Sequence, residues 1–193
     1  MAFLERGLGE TILWPPKNGF PQKIPQYWED TMVRKILELG DETLRKTCKP
    51  MKTYDLRLWL LLRDMAETMY KAEGVGLAAP QVGILRRVVV IDVGDDHGLI
   101  ELVNPEIIAT EGEQAGSEGC LSVPGRRGYV VRPNKVTVRA QDRKGKKFEI
   151  TGEGLLARAL CHEIDHLDGI IYVDKMDHEI FDDDEEKETQ EEK

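Results

Sequence analysis

The chain has 193 residues, of which 40% are apolar and 33% charged, and a net charge of −9. That length suits one compact domain with tails, and no stretch is long and apolar enough to span a membrane. Three cysteines (Cys48, Cys120, Cys161) are too few for a disulfide framework, which points to reducing, cytoplasmic surroundings, and the acidic balance argues against direct nucleic-acid binding.

Residues 1–31 differ in composition from the rest of the chain. Pro15, Pro16, Pro21 and Pro25 interrupt any helix, and Gly19 loosens the backbone. With no apolar core and with Glu5, Glu10, Glu29 and Asp30, the segment matches neither a secretory signal nor a transit peptide. It is expected to be an appended extension, with Met32 as a second start and the main domain over 32–178. Trp14, Tyr27 and Trp28 would let it pack on that body.

Asp41–Arg45 is a short polar-apolar segment. The spacing predicts a helix over Asp55–Ala72, with Leu56, Trp59, Leu60, Leu62, Ala66 and Met69 on or near one face and Gly74 as its stop. The β-branched run Arg87–Val93 predicts a buried strand, Asp95–Gly98 a turn and Leu99–Val103 a partner strand. Further strands are expected at Glu106–Glu111, Tyr129–Arg132, Lys135–Gln141 and Lys147–Thr151, with a hairpin turn at Arg143–Lys146. A second helix is predicted over Gly154–Asp168, closed by Gly169 in the C′ position. Asp182–Lys193 carries eight acids against two lysines, so 179–193 is expected to be a solvated acidic tail. Strands in the middle and helices at the ends make an α+β pattern.

The predicted second helix carries His162-Glu163-Ile164-Asp165-His166. Imidazoles four residues apart share one helix face and can hold one metal ion, with Glu163 close enough to move protons for a water there. A third ligand is needed. A metzincin-type protease would have histidine where Tyr172 stands. A thermolysin-like one would draw on Glu185 or Glu186, which sit in the acidic tail and suit a buried site poorly. The better candidate is Cys120, in Glu118-Gly119-Cys120-Leu121-Ser122, because a thiolate with two imidazoles suits a divalent transition metal and leaves a position open for water. The bland alternative is a small buried hydrophobe, the ordinary fate of a free cysteine.

Gly74-Val75-Gly76-Leu77-Ala78-Ala79-Pro80-Gln81 superficially matches a dinucleotide fingerprint, but it follows a helix rather than a strand. Two readings stay open. Gln81 either donates to a carbonyl oxygen becoming an oxyanion, or it faces solvent from a surface turn.

Taken in order, Gly74–Gln81, Glu118–Ser122 and His162–His166 resemble the peptide deformylase family, in its type 1 bacterial and organellar form. The likeness runs from about Val33 to about Lys175. It implies antiparallel mixed sheets around a central helix bearing the two histidines. It implies a metal, Fe²⁺ natively with Zn²⁺ or Ni²⁺ as substitutes, on Cys120, His162 and His166. The implied reaction removes the formyl group from the N-terminal methionine of new polypeptides and yields formate. Glu163 would carry the proton, while the Gln81 amide and the backbone N–H of Leu121 hold the oxyanion. Val75, Gly76, Gly119, Arg127, Leu155, Ala159 and the stem of Arg158 would bind substrate. Val75, Leu155 and Ala159 serve equally well as ordinary core, and Arg126–Arg127 as a solvated pair. Glu118 and Arg132 would form an internal salt bridge that orients the Cys120 loop.

The implied partners are formylated nascent peptides and, transiently, the ribosome, met by a monomer through a surface other than the acidic tail. Asp165 and Asp168 are expected on the exposed side of the helix or in hydrogen bonds behind the ligands. Cys48 and Cys161 are expected to be buried and inert, and His97 and His178 to be lone surface histidines. A peptidase or a non-catalytic docking domain are the competing readings; the second would have no need of Glu163 or Gln81.

Overall fold

The structure, a computed structural model, describes residues 32–180. The expected extension over 1–31 and residues 181–193 of the acidic tail, with Glu185 and Glu186, lie outside the described residues.

Helix α1 spans Leu56–Lys71, flanked by Asp55 and Ala72 as its caps. The Asp55 carboxylate accepts from the N–H groups of Arg57 (3.0 Å) and Leu58 (3.3 Å), which would otherwise lack partners at a helix start. Its buried face is Leu58, Leu61, Leu62, Met65 and Met69, packed on Val88 and Val90. That face is rotated from the one the sequence suggested: Leu56 is exposed, and Trp59 and Leu60 are only half-buried.

A five-stranded sheet follows the order β1-β2-β3-β6-β7, built from β1 (Gly76–Ala78), β2 (Val88–Ile91), β3 (Ile100–Glu111), β6 (Lys135–Gln141) and β7 (Lys147–Glu153). A second sheet has the order β4-β5-β8, from β4 (Gln114–Cys120), β5 (Val123–Arg132) and β8 (His178–Ile180). Every pairing in both sheets is antiparallel. The β-branched run is buried on both faces as β2, though shorter than predicted. The two strands expected at Leu99–Val103 and Glu106–Glu111 are one bent strand, β3, whose register shifts between Val103 and Glu106. Asn104 takes the bend at φ +52, a conformation this residue tolerates. Its amide accepts from Met51 N–H (2.7 Å) and donates to Gln141 Oε1 (2.9 Å).

Strand β4 was not apparent in the sequence. Gly116 and Gly119 weaken any strand signal, and the strand owes its existence to continuous pairing with β5. β5 begins earlier than the expected Tyr129, through Val123, Pro124 and Gly125. Cys120 pairs with Val123, so Leu121-Ser122 is a two-residue turn between β4 and β5.

Helix α2, Gly154–Leu167, is buried along most of its length. Leu156, Ala157, Leu160, Cys161, Ile164 and Leu167 join the core of the five-stranded sheet with Val89, Ile91, Val136 and Val138. Its opposite side faces the three-stranded sheet. Asp168 is the C-cap, and Gly169 follows at φ +76 as expected.

Gly169 and Gly154 are both left-handed, at φ +76 and +55, but a Cβ on Gly169 would lie 2.5 Å from the carbonyl oxygen of Arg45 while one on Gly154 would meet nothing within 4 Å. Gly169→Ala is therefore expected to cost more than the roughly 1–2 kcal/mol of the conformation alone, which is the cost expected for Gly154→Ala. Urea titration of the two variants checks the order.

Candidate active site

The site forms where α2, β4 and the turn after β1 meet. His162 and His166 lie one helical turn apart on α2, with ring centroids 5.0 Å apart. β4 brings Cys120 against them, its Sγ 3.2 Å from His166 Nε2. One donor atom each from Cys120, His162 and His166 lies within 4.8 Å of the others, and all three residues are buried. A soft sulfur with two imidazoles is the donor set of a divalent transition metal. His162 Nδ1 lies 2.9 Å from Glu118 Oε2, so a carboxylate takes the ring N–H that a metal-bound imidazole would donate. The residues present therefore fit a bound metal.

Glu118 is 3% exposed and has four donors around it. Arg132 grips both oxygens (2.8 and 2.9 Å), and Arg158 reaches Oε1 at 2.9 Å. Burial alone would raise the Glu118 pKa, but the Arg132 fork and His162 hold it well below the usual carboxylate range. Arg132 passes on to Asp165 (2.5 Å), which also meets Lys175 (2.8 Å). Asp165 thus connects through Arg132 and Glu118 to His162. Asp168 pairs instead with Arg87 at 2.5 Å. Burial opposes charge on His162, yet hydrogen bonds to Cys120 and Glu118 carry it well above the ordinary histidine value. Burial, His162 and Arg132 push His166 well below it.

Glu163 is 4% exposed, and its Oε2 is buried without a hydrogen-bond partner. Burial pushes this carboxyl up to about 7, against the lowering effect of His162. It lies hard against Gly76, where a Cβ would fall 2.4 Å from Glu163 Oε1.

Gln81 is 1% exposed, in a 3₁₀ turn over Ala79–Val82, so the solvent-facing reading of this residue does not hold. Its Oε1 accepts from the Ala78 N–H (2.8 Å), which turns Nε2 toward Ser122 Oγ (3.1 Å) and Cys120 Sγ (3.5 Å). Leu121 occupies the turn beside Cys120, and its side chain covers Gly74. Ser122, which ends the Glu118–Ser122 motif and carried no role of its own in the sequence, is fully buried; its N–H also points to Cys120 Sγ, at 3.4 Å. Its place directly after Cys120-Leu121 was the available signal.

A cavity of about 290 Å³ opens beside His162 and Glu163, and Val75, Gly119, Arg127, Leu155 and Ala159 line it. Gly76 packs directly against Glu163. Leu155 is 39% exposed and so is not ordinary core, whereas Ala159 belongs both to the core and to the cavity. Arg126 is ion-paired with Glu179 (2.6 Å). Tyr172 is buried, stacks on His162 with centroids 6.1 Å apart, and donates its hydroxyl to the Arg126 carbonyl (3.0 Å), which leaves it a packing residue at the metzincin position. Cys48 and Cys161 are buried, with burial raising both thiols. His97 is an exposed turn residue against Asp95, and His178 sits on β8 stacked on Tyr129.

The family model of polypeptide deformylase matches residues 33–181. A peptide deformylase from Thermoanaerobacter pseudethanolicus is 58% identical over 156 residues, covering 81% of this chain and 96% of its own. The crystal structure of a peptide deformylase from Legionella pneumophila superposes with a TM-score of 0.73 at 51% identity, over 84% of this chain and 99% of that one. A Met-Ala-Ser-bound peptide deformylase from Acinetobacter baumannii superposes at 0.72 with 33% identity, over 76% and 100%. The chain belongs to the peptide deformylase family, metal-dependent hydrolases that remove the N-formyl group from nascent peptides.

Proposed function

We propose that residues 32–178 form the catalytic unit and that Cys120, His162 and His166 hold Fe²⁺, with Zn²⁺ or Ni²⁺ able to replace it. The observation that carries this is the convergence of those three donors beside a buried carboxylate and a cavity. The bound ion would supply Lewis acidity and an acidified water. Glu163 takes the proton of the attacking water as its oxygen bonds to the formyl carbon. The same carboxyl returns that proton to the amine nitrogen as the C–N bond breaks, so formate and a free N-terminus leave. Desolvation, which holds Glu163 near neutrality, suits a group that must both take and give a proton. Gln81 Nε2 and the Leu121 N–H serve as donors to the formyl oxygen as it gains charge. The bond from Gln81 Oε1 to the Ala78 N–H supports this, because it fixes which end of the amide faces the site.

Val75, Leu155, Ala159 and the Arg158 stem take the methionine side chain, while Gly76, Gly119 and Arg127 meet the peptide backbone. The Acinetobacter baumannii relative bound to Met-Ala-Ser supports a peptide in this cavity. Nascent peptides as substrates support a cytoplasmic enzyme that meets the ribosome transiently, and we take it to act as a monomer. Among the described residues no helix is long and apolar enough to cross a membrane.

Formate release from formyl-Met-Ala-Ser by Fe²⁺- and Zn²⁺-loaded protein tests the reading; cleavage of internal peptide bonds without formate would replace it with a peptidase. Glu163→Ala is expected to lower kcat by about 10²–10⁴ while retaining one metal per chain by elemental analysis. Gln81→Ala is expected to cost on the order of a hundredfold in kcat; an unchanged rate would remove Gln81 from the oxyanion site. Because Glu163 acts first as a base, its protonation must stop turnover, so activity falls as pH drops. Burial sets its pKa at about 7 and a bound cation would lower it, so the acid limb of the kcat/KM profile is expected at or below neutrality. It should vanish from the residual activity of Glu163→Ala.

A further inference from the structure

We propose that Arg158 is a positioning residue for the His162 ligand, clamping Glu118 and strands β4 and β5 to helix α2 so that the ligand set and the cavity wall move as one body. This rests on the metal site proposed above. Arg158 and His162 are one helical turn apart on α2, and both address the same carboxylate. Arg158 Nη1 donates to Glu118 Oε1 at 2.9 Å, while His162 Nδ1 meets Oε2 at 2.9 Å. Fixing Oε1 fixes the aim of Oε2, and Oε2 sets the rotation of the imidazole.

Arg132 meets both Glu118 oxygens but shares its charge with Asp165, so Arg158 also supplies countercharge to Glu118; charge balance alone does not set where its guanidinium reaches. What Arg158 adds is reach. Its Nη1 also donates to the Val130 carbonyl of β5 (3.0 Å) and to the Gly116 carbonyl of β4 (3.4 Å), and Nη2 reaches the Gln114 carbonyl (3.5 Å). The two histidines ride on α2 but Cys120 rides on β4, so the distance between sulfur and imidazoles is only as constant as the contact between helix and sheet. Arg158 spans that contact. The guanidinium lies close over Gly116: a Cβ there would be 3.3 Å from Arg158 Nη2, a tight contact. Arg158 lines the same cavity as Leu155 and Ala159.

Arg158→Met keeps the stem and removes the guanidinium. Co²⁺ titration of the metal-free protein, followed by the thiolate-to-cobalt charge-transfer absorption and checked by chelator competition, reads the site without reference to turnover. The expected result is Co²⁺ affinity lower by about ten- to a hundredfold, the range for loss of a group that orients a ligand. With it should go a comparable fall in kcat and little change in KM for formyl-Met-Ala-Ser. Arg158→Lys, with one donor group in place of a fork, is expected to fall between Arg158→Met and the parent, and it carries the comparison if Arg158→Met does not fold. Parental Co²⁺ affinity in both variants overturns the proposal, as does a lower metal-free Tm with unchanged affinity, which would leave Arg158 a role in stability alone. No charge-transfer band in the unsubstituted protein would instead overturn the Cys-His-His reading on which the proposal rests.

Discussion

One buried carboxylate organises this molecule. Glu118 accepts from Arg132, Arg158 and His162 with both oxygens engaged, in a setting where an unpaired charge would be costly. Burial raises the cost of its charge, and its partners more than offset that. An interaction of this kind adds little net stability against a well-packed apolar alternative, but removing one partner typically costs about 3–5 kcal/mol. Its value is geometric. It ties β4, β5 and α2 together at one point, and His162, one of the proposed metal ligands, makes one of its four contacts.

That constraint answers a problem posed by the topology. The five-stranded sheet forms its core with the outer side of α2, through Leu156, Leu160, Ile164 and Leu167. Cys120 belongs to the other sheet and to a separate apolar cluster with Leu44, Val130, Ile171 and Tyr172. A site whose ligands come from two layers is exposed to any slip between them. Apolar contacts resist separation but are non-directional. Hydrogen-bonded ion pairs fix orientation, and here they sit close to the ligands in both layers: Glu118 two positions before Cys120, and Arg158 one turn before His162.

The residues that converge at the candidate site were legible in the sequence because their chemistry is local: two histidines at helical spacing, a cysteine between Gly119 and Leu121, and a glutamine closing a glycine-bearing segment. The buried β2 and both long helices were legible because β-branched runs and apolar periodicity are also local properties. β4 was not, since a strand with two glycines is specified by its partner rather than by itself. Neither was the continuity of β3, where Asn104 holds a left-handed bend by contacts to Met51 and Gln141, far away in the chain. The role of the Arg158 guanidinium was hidden for the same reason: its stem was visible as cavity lining, but its acceptors lie on β4 and β5.

The glycine-bearing segment shows how a motif can be misassigned when its physical cause is not asked for. Glycines spaced in this way suggest a backbone that must approach a phosphate or adopt positive φ. Gly74 and Gly76 are not among the positive-φ glycines of the described residues. Gly76 is needed because a Cβ would strike the Glu163 carboxylate at 2.4 Å, and Gly74 because one would strike Leu121 at 2.7 Å. Each glycine makes room for a side chain or turn from a different motif, so the three motifs are mutually specified. The Glu163 carboxyl can be buried beside His162 only because β1 offers it bare backbone. At Gly74 a side chain would displace that of Leu121, in the turn beside Cys120. Packing of this kind leaves Glu163 little freedom to move away from Cys120, His162 and His166, and that proximity is what the proposed two-way proton transfer by one carboxyl requires.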